Sequence, residues 1–281
     1  KRKLDFFELH REQEVLLDAL QKHDRIIILK ARQLGISTLI RSWMFYQAFM
    51  DTEPRTYACI AHTHNASENL HRIDKTFHHN FPIKRKLSKE NQTEMVFQDS
   101  GATIKTFTAG GKGGTRSYQL DAIHLSEFAF YEDQEEILAT ILASAGEGQI
   151  IIESTPNTIG DKFHELVMET IETNGENGWK LLFFPWYQHS KYELNPPTWF
   201  QKRKEEALVA ETFGLSDDQV WWRRKQINTL GKEKFYREYP ATVKEAFRNT
   251  GKSYFNTTAL DRIEPMKDPN NKYKTDGEPI S

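Results

Sequence analysis

The chain has 281 residues, 38% hydrophobic and 28% charged, with 38 Lys and Arg against 40 Asp and Glu for a formal net charge of −2. That balance can build a buried core and excludes a chain that is basic overall, so any nucleic-acid contact must come from local clusters of charge. The single cysteine, Cys59, excludes an intramolecular disulfide framework, and no apolar run reaches the ~18 residues of a membrane span.

In chain order, Val15, Leu16, Ala19 and Leu20 stand at helical spacing. Arg25 to Leu29 is a continuous β-branched run, the pattern of a strand buried on both faces of a parallel sheet. After a short polar loop, Thr38 to Met50 returns to helical period, with Leu39, Trp43, Tyr46 and Met50 as the expected buried face. Thr56 to Ala61 predicts a second buried strand, with Cys59 as an inert core thiol, and Leu70, Ile73 and Phe77 predict the helix after it. Met95–Phe97 and Ala102–Phe107 flank Asp99-Ser100-Gly101 as a β-hairpin. Ala122–Leu125, Gln149–Glu153 and Lys180–Phe184 are further strands separated by helical stretches. Strands alternating with helices predict a mostly parallel α/β sheet, with ligands at the C-terminal ends of its strands. Past Pro185 the texture becomes that of a helical appendage, carried by Glu205–Ala210 and Trp221–Leu230. The stretch from Lys267 to Ser281 reads as linker. The expected organisation is a core over 1–190, a lid or helical subdomain over 191–250 and a linker over 251–281.

Three motifs carry chemistry. The first, Lys30-Ala31-Arg32-Gln33-Leu34-Gly35-Ile36-Ser37-Thr38, leaves a buried strand and opens a helix, the context a phosphate-binding P-loop requires. Gly35 permits close approach, and Ser37 is the hydroxyl that would hold Mg²⁺. Against the pattern G-x-x-x-x-G-K-[ST], Lys30 replaces the first glycine and Ile36 the lysine. The cation that reaches phosphate must then be Lys30 or Arg32. The second motif, Ala122–Glu127, is an apolar strand ending in Ser126-Glu127, the shape of a Walker B motif. Glu127 would orient the attacking water, and Ser126 stands where an aspartate usually holds the metal. The third, Ile151–Asn157, ends a strand with Ser154, Thr155 and Asn157, groups able to sense a γ-phosphate and equally able to form a turn. Together the three point to an enzyme that binds and hydrolyses ATP with Mg²⁺; the alternatives are a helicase-like DNA-dependent ATPase and, given Ile36 and Ser126, a non-hydrolysing nucleotide-binding structural subunit.

These residues resemble the ATPase half of the large terminase subunit, the genome-packaging motor of tailed bacteriophages. The displaced loop lysine, Leu125-Ser126-Glu127-Phe128-Ala129-Phe130 and Ser154-Thr155-Pro156-Asn157 are similar to its two Walker motifs and its coupling motif. Glu238-Tyr239-Pro240 and Glu245-Ala246-Phe247 are similar to the segment that closes the domain. The resemblance implies a P-loop NTPase fold of the additional-strand, catalytic-glutamate type with a small lid. It implies that Gln13 reads adenine, that Arg116 is an arginine finger acting on its own or a neighbour's site, and that Ser154, Thr155 and Asn157 couple hydrolysis to movement. The implied partners are double-stranded DNA, a portal protein, a small terminase subunit and further copies of the chain, a ring (a pentamer by resemblance) when assembled and a monomer in isolation. The implied location is the cytoplasm of an infected bacterium, on a procapsid and not in a membrane. With no initiator Met and an end soon after the linker, the chain is expected to be a fragment without nuclease activity. The histidines at 62, 64, 71, 78 and 79 are not expected to bind zinc, and the basic runs 84–86, 202–204 and 223–225 read as solvated faces, one of which could meet DNA.

Overall fold

The computed structural model describes residues 8–110 and 118–248, which lie within one compact unit. An eight-stranded sheet crosses it, built from β1 (Arg25–Lys30), β2 (Thr56–Ala61), β3 (Leu87–Glu90), β4 (Glu94–Phe97), β5 (Thr103–Thr108), β6 (Ala122–Ser126), β7 (Gln149–Ser154) and β8 (Lys180–Phe184). The order is β3-β4-β5-β2-β6-β7-β1-β8. From β5 to β8 every pairing is parallel, while β3-β4-β5 is an antiparallel margin. The sheet is thus mostly parallel, as expected from the alternation of elements. The hairpin over 95–107 is present as well, but β3 has no apolar pattern to announce it: three of its four residues, Ser88, Lys89 and Glu90, are exposed.

Helices cover both faces. Ile26 and Ile28 of β1 point into a core shared with α1 (Arg11–Lys22) and α2 (Ile36–Met50), and Ile27 and Leu29 into one shared with α4 (Gln134–Ala145) and α5 (Lys162–Glu172). Both faces are dry because every residue of the strand from Ile26 to Leu29 is fully buried, at about 1.5–3 kcal/mol per large aliphatic side chain. α3 (His64–Asn80) opens at Thr63, whose side chain accepts a bond from Ala66 N, and lies along α2. Its neighbour α2 buries Leu39, Ile40, Met44, Phe45, Ala48 and Phe49 and leaves Tyr46 and Met50 exposed. The expected face of Leu39, Trp43, Tyr46 and Met50 is therefore wrong in half its members. The helix is apolar around most of its circumference, so spacing alone does not choose the buried arc.

Beyond β8 come α6 (Lys204–Phe213), α7 (Asp217–Leu230), α8 (Lys232–Glu238) and the short α9 (Val243–Ala246). Ser216 caps α7 by accepting from Gln219 N, Asp217 and Asp218 complement the dipole of its first turn, and Gly231 ends it. Trp186 joins these helices to the sheet: it stacks on Trp222 at 5.1 Å between ring centroids and packs edge-on to Phe235 and Tyr192.

Candidate nucleotide site

The C-terminal ends of β1, β6 and β7 lie side by side, which brings the three motifs together. β1 runs into a loop whose apolar members Ala31, Leu34 and Ile36 are all buried. Ile36 is an anchor in the core, which explains how an aliphatic residue can occupy the lysine position. Gly35, at φ +66°, adopts the left-handed conformation as it enters α2, and a Cβ there would come within 2.9 Å of Gln13 Nε2. Gln13 itself is buried: its amide donates to Gly35 O at 3.0 Å and accepts from His10 N at 3.4 Å. His10 Nε2 lies 2.9 Å from Leu34 O. The start of α1 therefore braces the loop from behind.

Lys30 and Arg32 separate clearly. Lys30 is buried, with its ammonium 3.0 Å from Glu127 Oε1 and 3.1 Å from Glu153 Oε2. Burial alone would lower its pKa, but the two carboxylates outweigh that and hold the lysine charged. Arg32 is exposed and pairs with Glu238 Oε2 at 3.2 Å. Its backbone N–H donates to Glu238 O, and its carbonyl accepts from the Tyr192 hydroxyl. Lys191 Nζ reaches Gln33 O at 2.8 Å. The segment after β8 thus grips the loop backbone directly.

Glu127 follows the end of β6 at φ +54° and ψ +48°, a left-handed conformation costing about 1–3 kcal/mol in a non-glycine residue. This turn directs its carboxylate toward β1 and β7. Oε2 faces Thr155 N at 3.2 Å, Thr155 Oγ1 at 3.3 Å and Ser154 Oγ at 3.5 Å. Ser154 also accepts from Ala129 N, and Asn157 Nδ2 donates to Ala129 O at 3.0 Å. The proposed sensing residues and the proposed catalytic glutamate are therefore in direct contact. Thr38, in the first turn of α2, is half-buried. Arg116 lies outside the described residues, as do the 251–281 segment and its linker reading.

Sequence reasoning gave no role to Glu153, yet it is the hub of the site. It is fully buried; Oε1 accepts from Ser37 Oγ at 2.5 Å and Ser126 Oγ at 2.9 Å, with His124 Nε2 at 3.3 Å. Burial would raise its pKa, but Lys30 and then His124 prevail and hold it well below the carboxylate range. His124 is likewise pushed up to about 9, since the neighbouring Cys59 and Glu153 overcome the effect of burial. The available signal was a lone acid closing the run Ile150-Ile151-Ile152.

The signals set aside have definite places too. Arg85 pairs with Asp99 and caps carbonyls of Phe49 and Asp51, Lys202 pairs with Asp217, and Arg224 with Glu206. Trp222 is core, and Trp221 packs against Trp199 and Phe200. His71 is buried against Asn91 O, whereas His78, His79 and Glu90 offer ligand atoms within 4.8 Å of one another at the far end of α3.

No family model and no curated protein matches the chain. Solved structures do. The large terminase of bacteriophage HK97 superposes with a TM-score of 0.61 at 14% identity, over 83% of this chain and 50% of its own. The large terminase ATPase domain of Thermus phage P74-26 gives 0.57 at 15% identity, over 84% of this chain and 94% of that domain. The fold is that of a phage large-terminase ATPase domain. The large terminase of a thermophilic bacteriophage, solved in complex with ADP, gives 0.56 at 11% identity over 83% of this chain and 53% of its own. The chain therefore spans about half the length of these terminases and matches nearly all of the isolated ATPase domain. In this chain's sheet β7 is inserted between the loop strand β1 and β6, the strand that ends before Glu127. Among the described residues no helix is long and apolar enough to cross a membrane.

Proposed function

We propose that this chain is the ATP-hydrolysing motor domain of a viral genome-packaging terminase, which moves double-stranded DNA into a procapsid. The observation that carries the reading is the meeting of Glu127 with both the loop lysine, at 3.0 Å, and the Ser154–Thr155 strand end. Lys30 is the phosphate cation. Phosphate oxygens compete with Glu127 for its ammonium, and a carboxylate released from that pair is free to orient a water toward the γ-phosphate. Ser154 and Thr155, already bonded to Glu127, register that change and pass it on. The backbone of residues 30–38 binds the phosphates, with Gln13 setting the loop beside the base. The hydroxyls of Ser37 and Ser126 are hard oxygen donors suited to Mg²⁺, which when bound neutralises charge on the β- and γ-phosphates.

The 191–250 segment acts as the lid, since it grips the loop through Tyr192, Lys191 and Glu238. The 251–281 segment serves as linker, and Arg116 completes its own or a neighbouring site. Partners are DNA, the portal, a small terminase subunit and further copies in a ring, in the host cytoplasm. The ADP complex of the thermophilic-phage terminase supports the nucleotide class. The test is Mg²⁺-dependent ATP turnover against protein concentration, for this chain and for Glu127→Gln. Turnover that rises faster than linearly and vanishes in the variant is the expected result. Turnover unchanged by Glu127→Gln would reject Glu127 as the catalytic carboxylate. A folded chain that binds ATP yet never turns it over, with procapsid and DNA present, would reject the motor reading.

A further inference from the structure

Ser126 stands where a metal-holding aspartate is needed, and a serine hydroxyl carries no charge to offset a divalent ion. We infer that Glu153, on the neighbouring strand, supplies that carboxylate and, with the hydroxyls of Ser37 and Ser126, forms the protein side of the Mg²⁺ site. The inference rests on the nucleotide-hydrolysing reading above.

Register makes the exchange possible. β6 and β7 are parallel, and Ser126 is paired with Glu153. Paired residues on adjacent strands project from the same face about 4.8 Å apart. A carboxylate moved from 126 to 153 therefore stays on that face, one strand closer to β1 and its loop. Its placement is observed: Glu153 Oε1 accepts from Ser37 Oγ at 2.5 Å and from Ser126 Oγ at 2.9 Å. The missing aspartate's position and the loop hydroxyl thus converge on one oxygen. The donor set, a carboxylate and two hydroxyls, is the hard oxygen chemistry that Mg²⁺ requires. Oε2 lies 3.1 Å from the Lys30 ammonium, so the second oxygen of this carboxylate is turned to the loop cation.

Two carboxylates at one loop then divide the work by environment. Glu153 is dry and fixed by Ser37, Ser126, Lys30 and His124, suiting a group that holds an ion in one place. The Glu127 side chain keeps 27% of its exposure and hangs from a left-handed turn, suiting a group that meets water.

The competing account is that Glu153 only neutralises Lys30, and metal affinity separates the two. Mn²⁺ is titrated into the chain with ADP, and binding is read from loss of the free Mn²⁺ electron paramagnetic resonance signal beyond that caused by ADP alone. Glu153→Gln should weaken Mn²⁺ binding by at least roughly 10–100-fold, the range already seen on losing a group that only orients a metal's ligands. Glu127→Gln should weaken it far less than Glu153→Gln does, because Glu127 is not part of the inferred donor set. The swap Ser126→Asp/Glu153→Ser should recover most of the loss, which also answers the case in which Glu153→Gln folds poorly. Wild-type Mn²⁺ affinity in folded Glu153→Gln, or loss in Glu127→Gln instead, would overturn the assignment while leaving the ATPase reading intact. Failure of the wild-type chain to bind ADP at all would overturn that reading, and this inference with it.

Discussion

Lys30 and Arg32 were equivalent candidates in the sequence, and their surroundings distinguish them. Lys30 is sealed between two carboxylates, whereas the Arg32 side chain is 57% exposed and, among the described residues, pairs with Glu238. Lys30→Ala strands Glu153, which has no exposure, without its main counter-charge, a loss of about 3–5 kcal/mol. Arg32→Ala removes an exposed ion pair worth at most about 1 kcal/mol. Urea unfolding of the two variants should show that contrast, and ADP affinity should fall much further for Lys30→Ala. Equal losses in both would mean that Arg32 shares the phosphate. The same comparison indicates what a single sequence can carry about a site. Ser37, Glu127, Ser154 and Thr155 stood out because each closes or opens an element in a motif. Glu153 did not, because its partners come from β1, α2 and β6, and only strand register brings them together.

At the scale of elements, most of the architecture was readable because buried parallel strands are short β-branched runs bounded by polar loops. What escaped had weak local signals: β3 is largely exposed, and the apolar circumference of α2 hides which arc packs. Besides the Phe45–Phe77 ring contact, α2 and α3 share a buried polar contact: Arg41 Nε and Nη2 donate to Asp74 Oδ1 and Oδ2 at 2.9 and 2.7 Å, with both side chains fully buried. Asp74→Ala should cost about 3–5 kcal/mol in a urea melt, since it strands a buried guanidinium, and Arg41→Met/Asp74→Leu should recover much of that. A double variant no better than the single would show that the pair's geometry matters more than its charge. A second ion pair, Glu206 with Arg224, ties α6 to α7. Burial would raise the Glu206 pKa, but its bonds to Arg224 and the Arg203 N–H hold it below the ordinary value of 4.5. A carboxylate lowered in the folded state stabilises above its unfolded value, and that contribution disappears as pH falls through the folded value. The melting-temperature gap between wild type and Glu206→Gln should therefore be constant above about pH 6 and narrow below pH 4.5. A gap that widens with acid would reverse the assigned sign.

At the scale of the whole molecule, the segment after β8 lies against the loop of residues 31–35 that joins β1 to α2. That segment reaches the loop by few contacts, namely Tyr192 to the Arg32 carbonyl, Lys191 to Gln33 and Glu238 to Arg32, and an aromatic cluster holds it in place. In that cluster Trp222 stacks on Trp186, lies 4.9 Å from Tyr192 and meets Tyr239 edge-on at 5.1 Å. Tyr192 and Glu238, the two grips on Arg32, therefore sit on or beside residues whose position Trp222 sets. If the 191–250 segment is a lid, its stability can drop without melting the sheet, because lids are drawn from the less stable parts of a fold. Trp222→Ala removes about 3–5 kcal/mol of packing from the cluster. Hydrogen exchange should then rise across α6, α7 and α8, stay slow in β1, β6 and β7, and be accompanied by weaker ADP binding as the loop loses its outer support. Uniform loss of protection in strands and helices alike would mean that these helices are part of the core's own cooperative unit, and that closure over the nucleotide must come from some other element.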